Sequence, residues 1–286
     1  MKPLYTQHTK IPEKYIIDCF ERFLIEDQAE RDLSTQFSVN TTSTVCAHMV
    51  AEESLIFSGE LILNTILKDF DVKLFINDGD SCNKGDLIAK ITAPAHILLS
   101  YERILLNLIQ RLCGISFLTS QYVQTLNSSS IKILDTRKTT PGIRLFEKYA
   151  VCMGGGYNHR LDLYHGVMLK DNHLTLINDL EQVLNKLKQQ HPTKKIQIEI
   201  DYFDQLQENL KPHFQIDAIL LDNMNRTQTI QCVNYIAEHW PQCFIESSGG
   251  IHLDNLHNYV DTGIHAISIG ALTHQAVSKN IKLEFK

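Results

Sequence analysis

Five basic side chains, Arg137, Lys138, His159, Arg160 and Lys170, fall in short segments rich in threonine, glycine or asparagine. A lone arginine in such a place would be an ordinary surface residue. Together, with Arg103 as a further candidate, they suit a ligand carrying several negative charges, and arginine suits bidentate capture of carboxylates. Opposed to them are two acids, Glu199 in IQIEI and Asp222 in AILLD. Two carboxylates in a cationic pocket can hold ribose hydroxyls, bind Mg²⁺ or stabilise a developing positive charge. A pair of salt-bridging acids is the plainer alternative. A third group is made of small residues, in SSGGI from Ser247 and in IGALTH from Ile269. Small residues let backbone N–H groups approach a phosphate, and a following helix N-terminus adds favourable partial charge.

These groups need elements that bring them together, and the pattern supplies them. From Ile131 onward, short apolar runs alternate with helical segments. IKIL precedes DTRK, GVML precedes KDNH, AILL precedes Asp222, CFIE precedes SSGG, and AISI precedes GALTH. Repeated βα units of this size predict a parallel sheet, and this many predict an α/β barrel; a doubly wound open sheet is the alternative. The polar residues lie at or just past the C-terminal ends of the strands, which converge on one face of a barrel. Asn178 and Glu181 are spaced like a capping box for a helix carrying Leu180, Val183, Leu184 and Leu187 on one face. Asn225 and Gln228 predict the start of another helix, reaching Trp240. No GxGxxG occurs, so a dinucleotide fold has no support.

The N-terminal part reads differently. Ile16, Cys19, Phe20 and Phe23 form one helical stripe, and the region from about Thr42 to Thr92 is rich in short strands. Asp78-Gly79 and Lys84-Gly85 mark turns, in a hairpin pattern like that of lipoyl and biotinyl carriers. Lys84 lacks the flanking residues of a carrier lysine, which favours a structural sandwich. Ser100 is placed to cap a helix running to about Leu112 and stopping near Gly114.

The chain has 286 residues and 43% hydrophobic content, enough for one barrel-sized domain and a smaller one. A formal charge of -6 argues against nucleic acid as a partner. Seven scattered cysteines fit neither a disulfide scaffold nor a thiolate zinc site. MKPLYTQHTK lacks the apolar core of a signal peptide, and ILLSYERILLNLIQRL is too charged to span a membrane comfortably. A cytoplasmic protein without membrane contact is expected.

Several segments together resemble the quinolinate phosphoribosyltransferase family (nicotinate-nucleotide pyrophosphorylase, carboxylating). They are YERILLNLIQRLCGI, DTRKTTPGIRLFEKYAVCMGGGYNHR, VMLKDNH, IEID, LLDN, ESSGGI and ISIGALTH, in family order from Tyr101 to His274. DLST at Asp32 to Thr35 adds a looser match. The departures are QAER before DLST, Cys113 where serine is common, and His165 where aspartate is frequent; none belongs to the charged set.

The resemblance implies an α/β sandwich over residues 1–108, joined by the tail 275–286, and an incomplete parallel α/β barrel over residues 109–274. It implies a homodimer, in some members assembled further, with active sites shared across the interface. Carried onto this chain, Arg103 from the neighbour, with Arg137, His159, Arg160 and Lys170, would grip the two carboxylates of quinolinate. Lys138, Glu199, Asp222, Ser248, Gly249, Gly250, Gly270 and His274 would handle phosphoribosyl pyrophosphate and Mg²⁺. Thr136, Ile269 and Ala271 join them as substrate-binding positions. Glu199 and Asp222 are the expected metal ligands and, with Lys138, the catalytic groups. The implied reaction is phosphoribosyl transfer to quinolinate with decarboxylation, giving nicotinate mononucleotide, pyrophosphate and CO₂ for NAD biosynthesis. The alternatives are a related phosphoribosyltransferase-like protein using nicotinate or another small ligand, or a metabolite-binding protein without activity.

Overall fold

The computed structural model describes residues 2–128 and 130–286, and two compact units divide them. One comprises His8–Ser120, Thr139–Gly155 and Leu272–Lys286; the other comprises the N-terminal segment through Gln7, Gln121–Lys138 and Gly156–Ala271.

In the first unit, α1 (Glu13–Glu26) buries Ile16, Cys19 and Phe20 of the predicted stripe and leaves its fourth member, Phe23, half-buried. Asp32 caps α2 (Leu33–Ser38), accepting from the Thr35 N–H at 3.1 Å and from Thr35 Oγ1 at 2.5 Å, which accounts for the DLST segment. β1 (Thr44–Ala51) and β5 (Leu87–Pro94) are the middle strands of an antiparallel sheet. Its edges are β3 (Asp71–Leu74) and the C-terminal β12 (Ile281–Phe285), giving the order β12-β1-β5-β3. Ala47, Met49 and Ala51 alternate into the core along β1. A two-stranded ladder of β2 (Leu55–Ile56) and β4 (Ser81–Cys82) lies apart from this sheet. Asp78, from the first turn dipeptide, serves α3 (Glu60–Ile66): its carboxylate accepts from the Gly59 N–H at 2.5 Å and the Glu60 N–H at 2.9 Å.

The helix expected between Ser100 and Leu112 is far longer. α4 runs unbroken over Ala95–Leu126, so the expected domain boundary at residue 108 falls inside it. Ser100 is not its cap; the Oγ donates back to the His96 carbonyl at 2.9 Å. Gly114 does not stop it either. A Cβ there would overlap the Val277 carbonyl, so this glycine admits a close backbone neighbour. α5 (Arg144–Met153) belongs to the same unit, and its fully buried Glu147 accepts from Arg111 Nη2 at 2.9 Å and from the Thr140 N–H at 2.9 Å. The residues after Lys138 are thereby fastened to α4.

The second unit is a six-stranded parallel sheet of order β6-β11-β10-β9-β8-β7. The strands are β6 (Lys132–Leu134), β7 (Val167–Leu169), β8 (Ile196–Ile200), β9 (Ala218–Asp222), β10 (Phe244–Ser248) and β11 (Ala266–Ser268). Tyr157 adds a one-residue bridge outside β6, its N–H donating to the Ile133 carbonyl at 2.8 Å. Among the described residues no ladder joins that edge to β7, so the barrel is incomplete. β8 is buried along its whole length, as parallel strands covered on both faces are. The connecting helices are α6 (Asp171–Leu174), α7 (Leu180–Gln190), α8 (Phe203–Asn209) and α9 (Arg226–His239), with α10 (Ala271–His274) after β11. Asn225 and Gln228 form the predicted capping box of α9. α7 starts one residue later than the spacing suggests: Asp179, not Asn178, accepts from the Gln182 N–H at 3.0 Å. Asp179→Ala is therefore expected to cost about 1 kcal/mol in denaturant unfolding, and Asn178→Ala almost nothing. Equal losses in the two variants would reject this assignment.

Candidate active site

The register of the parallel sheet decides which side chains meet. Ser248 pairs with Asp222 and with Ser268, and Glu199 pairs with Leu220 two residues before Asp222. The polar residues at the ends of β8, β9 and β10 therefore share one edge of the sheet. Lys170 follows β7 at that edge, and its Nζ reaches Glu199 Oε2 at 2.5 Å. The Lys170 side chain is 44% exposed and that of Glu199 is 9% exposed, so the pair stands at the boundary between core and solvent.

Charge is arranged in two opposed groups. Burial pushes the Glu199 carboxyl above its ordinary range, opposed by Lys170 and helped by Asp222 and Asp201. Burial and then Asp201 push the Asp222 carboxyl up, while Lys170 and Lys138 pull it down. One oxygen from each of Glu199, Asp201 and Asp222 lies within 4.8 Å of the other two. Mg²⁺ takes oxygen ligands and commonly keeps several waters, so this donor set fits that ion. On the cationic side, Arg160 is only 6% exposed, and its Nη1 donates to the Gly166 carbonyl at 2.9 Å. Burial lowers the pKa of its guanidinium, and the neighbouring Arg137 adds a like charge.

Local backbone fixes several of these groups. Asp135 is buried after β6 and accepts from Asn158 Nδ2 at 2.7 Å and from the His159 N–H at 2.8 Å, tying DTRK to the YNHR segment. Thr136 Oγ1 accepts from the Lys138 N–H at 3.0 Å, so this hydroxyl shapes the turn that carries Lys138. Gly249 and Gly250 have φ of 85° and 61°. A Cβ at Gly249 would overlap the Asn223 side chain, so both conformation and space require glycine there. The Asn223 N–H donates to the Ser248 carbonyl at 2.8 Å, and its Nδ2 donates to Asp222 Oδ2 at 2.6 Å. Ile269 is buried with its N–H on the Leu134 carbonyl at 2.9 Å, which leads Gly270 and Ala271 out of β11. SSGGI leads into a 3₁₀ segment, Leu253–Tyr259, in place of the expected helix.

The barrel unit thus contains Thr136, Arg137, Lys138, His159, Arg160, Lys170, Glu199, Asp222, Ser248, Gly249, Gly250, Ile269, Gly270 and Ala271. Arg103, exposed on α4, and His274, exposed at the end of α10, belong to the other unit. Sequence reading missed Asp201. Its signal was the i, i+2 spacing from Glu199, which returns a strand-end side chain to the same face. It also missed Glu246, a fully buried acid in the strand leading to SSGG.

Comparison with known proteins identifies the family. Residues 115–284 match the C-terminal domain and residues 32–113 the N-terminal domain of quinolinate phosphoribosyl transferase. The chain is 40% identical over 269 residues to the probable nicotinate-nucleotide pyrophosphorylase [carboxylating] of Bacillus subtilis (strain 168), covering 92% of this chain and 90% of that one. It is 33% identical to the corresponding protein of Mycobacterium leprae (strain TN), covering 93% and 96%. Among solved structures, NadC from Streptococcus pyogenes superposes with a TM-score of 0.87 at 32% identity, covering 97% of this chain and 99% of the other. Both halves of the chain match in order, and the strand-end charges lie inside the matched region, so the chain belongs to the quinolinate phosphoribosyltransferase family.

Proposed function

We propose that this chain transfers the phosphoribosyl group of 5-phosphoribosyl 1-pyrophosphate to quinolinate with loss of CO₂, giving nicotinate mononucleotide and pyrophosphate on the route to NAD. The observation that carries the reading is the opposition of Arg137, Arg160 and Lys170 to Glu199, Asp201 and Asp222 at one end of a parallel sheet. The cations suit the two carboxylates of the pyridine. The acids face the sugar, where positive charge builds at C1 as pyrophosphate departs. Lys138 takes up charge on the leaving group, and Ser248, Gly249, Gly250 and Gly270 offer backbone donors to the phosphates. The ring nitrogen attacks C1 and becomes cationic. The adjacent carboxylate then leaves as CO₂, its bonding pair stays on the ring carbon beside the cationic nitrogen, which stabilises it, and a proton from solvent bonds to that carbon. No dedicated base is needed, and the task of the protein is orientation. Glu199 and Asp222, with Asp201 beside them, would hold Mg²⁺, which would supply positive charge to offset that of the departing pyrophosphate.

The family resemblance further suggests a homodimer in which Arg103 reaches the neighbouring copy's site. No helix among the described residues is long and apolar enough to cross a membrane; a cytoplasmic location accords with that. The purified protein is expected to release CO₂ from carboxyl-labelled quinolinate only when phosphoribosyl pyrophosphate and Mg²⁺ are both present, and to leave nicotinate unconverted at equal concentration. Equal turnover of nicotinate would reject quinolinate as the substrate.

A further inference from the structure

His159 is 5% exposed, and both of its ring nitrogens face protein groups. The Arg160 backbone N–H donates to Nδ1 at 2.7 Å. An accepting Nδ1 leaves the ring proton on Nε2. That nitrogen lies 3.4 Å from Oε2 of Glu246.

Glu246 is fully buried in β10, and a buried carboxylate is unfavourable unless it is paired and hydrogen-bonded. Burial alone would raise its carboxyl, but His159 and hydrogen bonds from Ser268 and Gln197 hold it below the ordinary range. Gln197 Nε2 donates to Glu246 Oε2 at 2.8 Å, and Gln197 Oε1 accepts from the Tyr5 hydroxyl at 3.2 Å. The Tyr5 ring lies against the imidazole, with centroids 4.8 Å apart. The N-terminal segment clasps the same stretch again: the Asn158 N–H donates to Gln7 Oε1 at 2.7 Å, and Gln7 Nε2 donates to the Asn158 carbonyl at 3.2 Å. All of these residues belong to the barrel unit.

We infer that Glu246 is a positioning residue for recognition of the pyridine dicarboxylate, acting through His159 on Arg160. Glu246 orients the imidazole through Nε2, the imidazole holds the Arg160 backbone through Nδ1, and the Arg160 guanidinium is thereby aimed at a substrate carboxylate. His159 serves the substrate through its neighbour, while Arg137, Arg160 and Lys170 make the contacts. This inference rests on the proposed quinolinate activity.

The test is steady-state kinetics of Glu246→Gln, His159→Asn and the double variant. Glu246→Gln keeps side-chain size and removes the charge. The loss of this one charged contact, acting at a remove, is expected to raise the KM for quinolinate about tenfold. The kcat and the KM for phosphoribosyl pyrophosphate should stay within about twofold of wild type, a split that general loosening of the fold would not produce. In the double variant the glutamine change should add nothing to the His159→Asn effect, because the path through the imidazole is already cut. Should Glu246→Gln fold poorly, Ser268→Ala removes one of the same carboxylate's donors and should move the quinolinate KM in the same direction by a smaller factor. Additive effects in the double variant, or an unchanged quinolinate KM in Glu246→Gln and Ser268→Ala with wild type active, would overturn the inference alone. Wild-type protein unable to release CO₂ from quinolinate would overturn the proposed function and this inference with it.

Discussion

Glu199→Gln and Asp222→Asn are each expected to lower turnover by about a hundred- to a thousandfold, the cost of removing one preorganised electrostatic partner of a transition state, ~2.7–4 kcal/mol. Each substitution preserves side-chain shape and removes the charge. Asp222 sits at the end of β9 with Asn223 fixing one of its oxygens, and Glu199 lies in the fully buried β8. Both carboxyls are raised by burial, so neutral replacements do not forfeit a strongly favourable native ionisation, and the fold should survive. Glu199→Gln also leaves Lys170 without its anionic partner, so its effect should extend to the KM for quinolinate. Single-turnover CO₂ release at saturating Mg²⁺, with circular dichroism to verify folding, separates the outcomes. Near wild-type turnover in either variant would make that residue structural and would remove it from the sugar-facing set.

Arg103→Ala and Lys138→Ala are each expected to be inactive alone and to recover activity when their subunits are mixed. Arg103 projects from α4 in the sandwich unit, and Lys138 follows β6 in the barrel unit. If Arg103 serves the neighbouring copy's site, each mixed dimer has one site with wild-type Lys138 and a wild-type Arg103 from its neighbour. The other site carries both lesions. Random mixing makes about half the dimers mixed, so about a quarter of wild-type activity should return. If Arg103 acts within its own copy, every site keeps one lesion and nothing returns. Subunit exchange verified by mass, with a mixture as dead as its parents, would exclude the shared site.

Much of this protein is legible in one dimension because its chemistry is attached to strand ends. Parallel strands covered on both faces read as apolar runs, so GVML, IQIEI and AILL locate themselves, and the charged residues that follow them fall on one edge of the sheet. Asn225 with Gln228, and Ile16 with Cys19 and Phe20, are equally local signals, set by hydrogen bonds and periodicity within one helix. The sequence alone therefore determined the alternating architecture, the candidate acids and cations at strand ends, and the glycine pair after the strand that carries Glu246. Tertiary structure decided what depends on partners distant in the chain. α4 runs through Gly114, whose missing side chain leaves space for the Val277 backbone over 160 residues away rather than marking a helix end. Asp201 joins Glu199 and Asp222 because the pairing of β8 with β9 sets those strand ends side by side. Glu246 reads as one acid in an apolar run, and only folding brings His159, Gln197 and Ser268 around it. Periodicity reports which face a residue occupies, whereas register and close approach decide which charge it meets there.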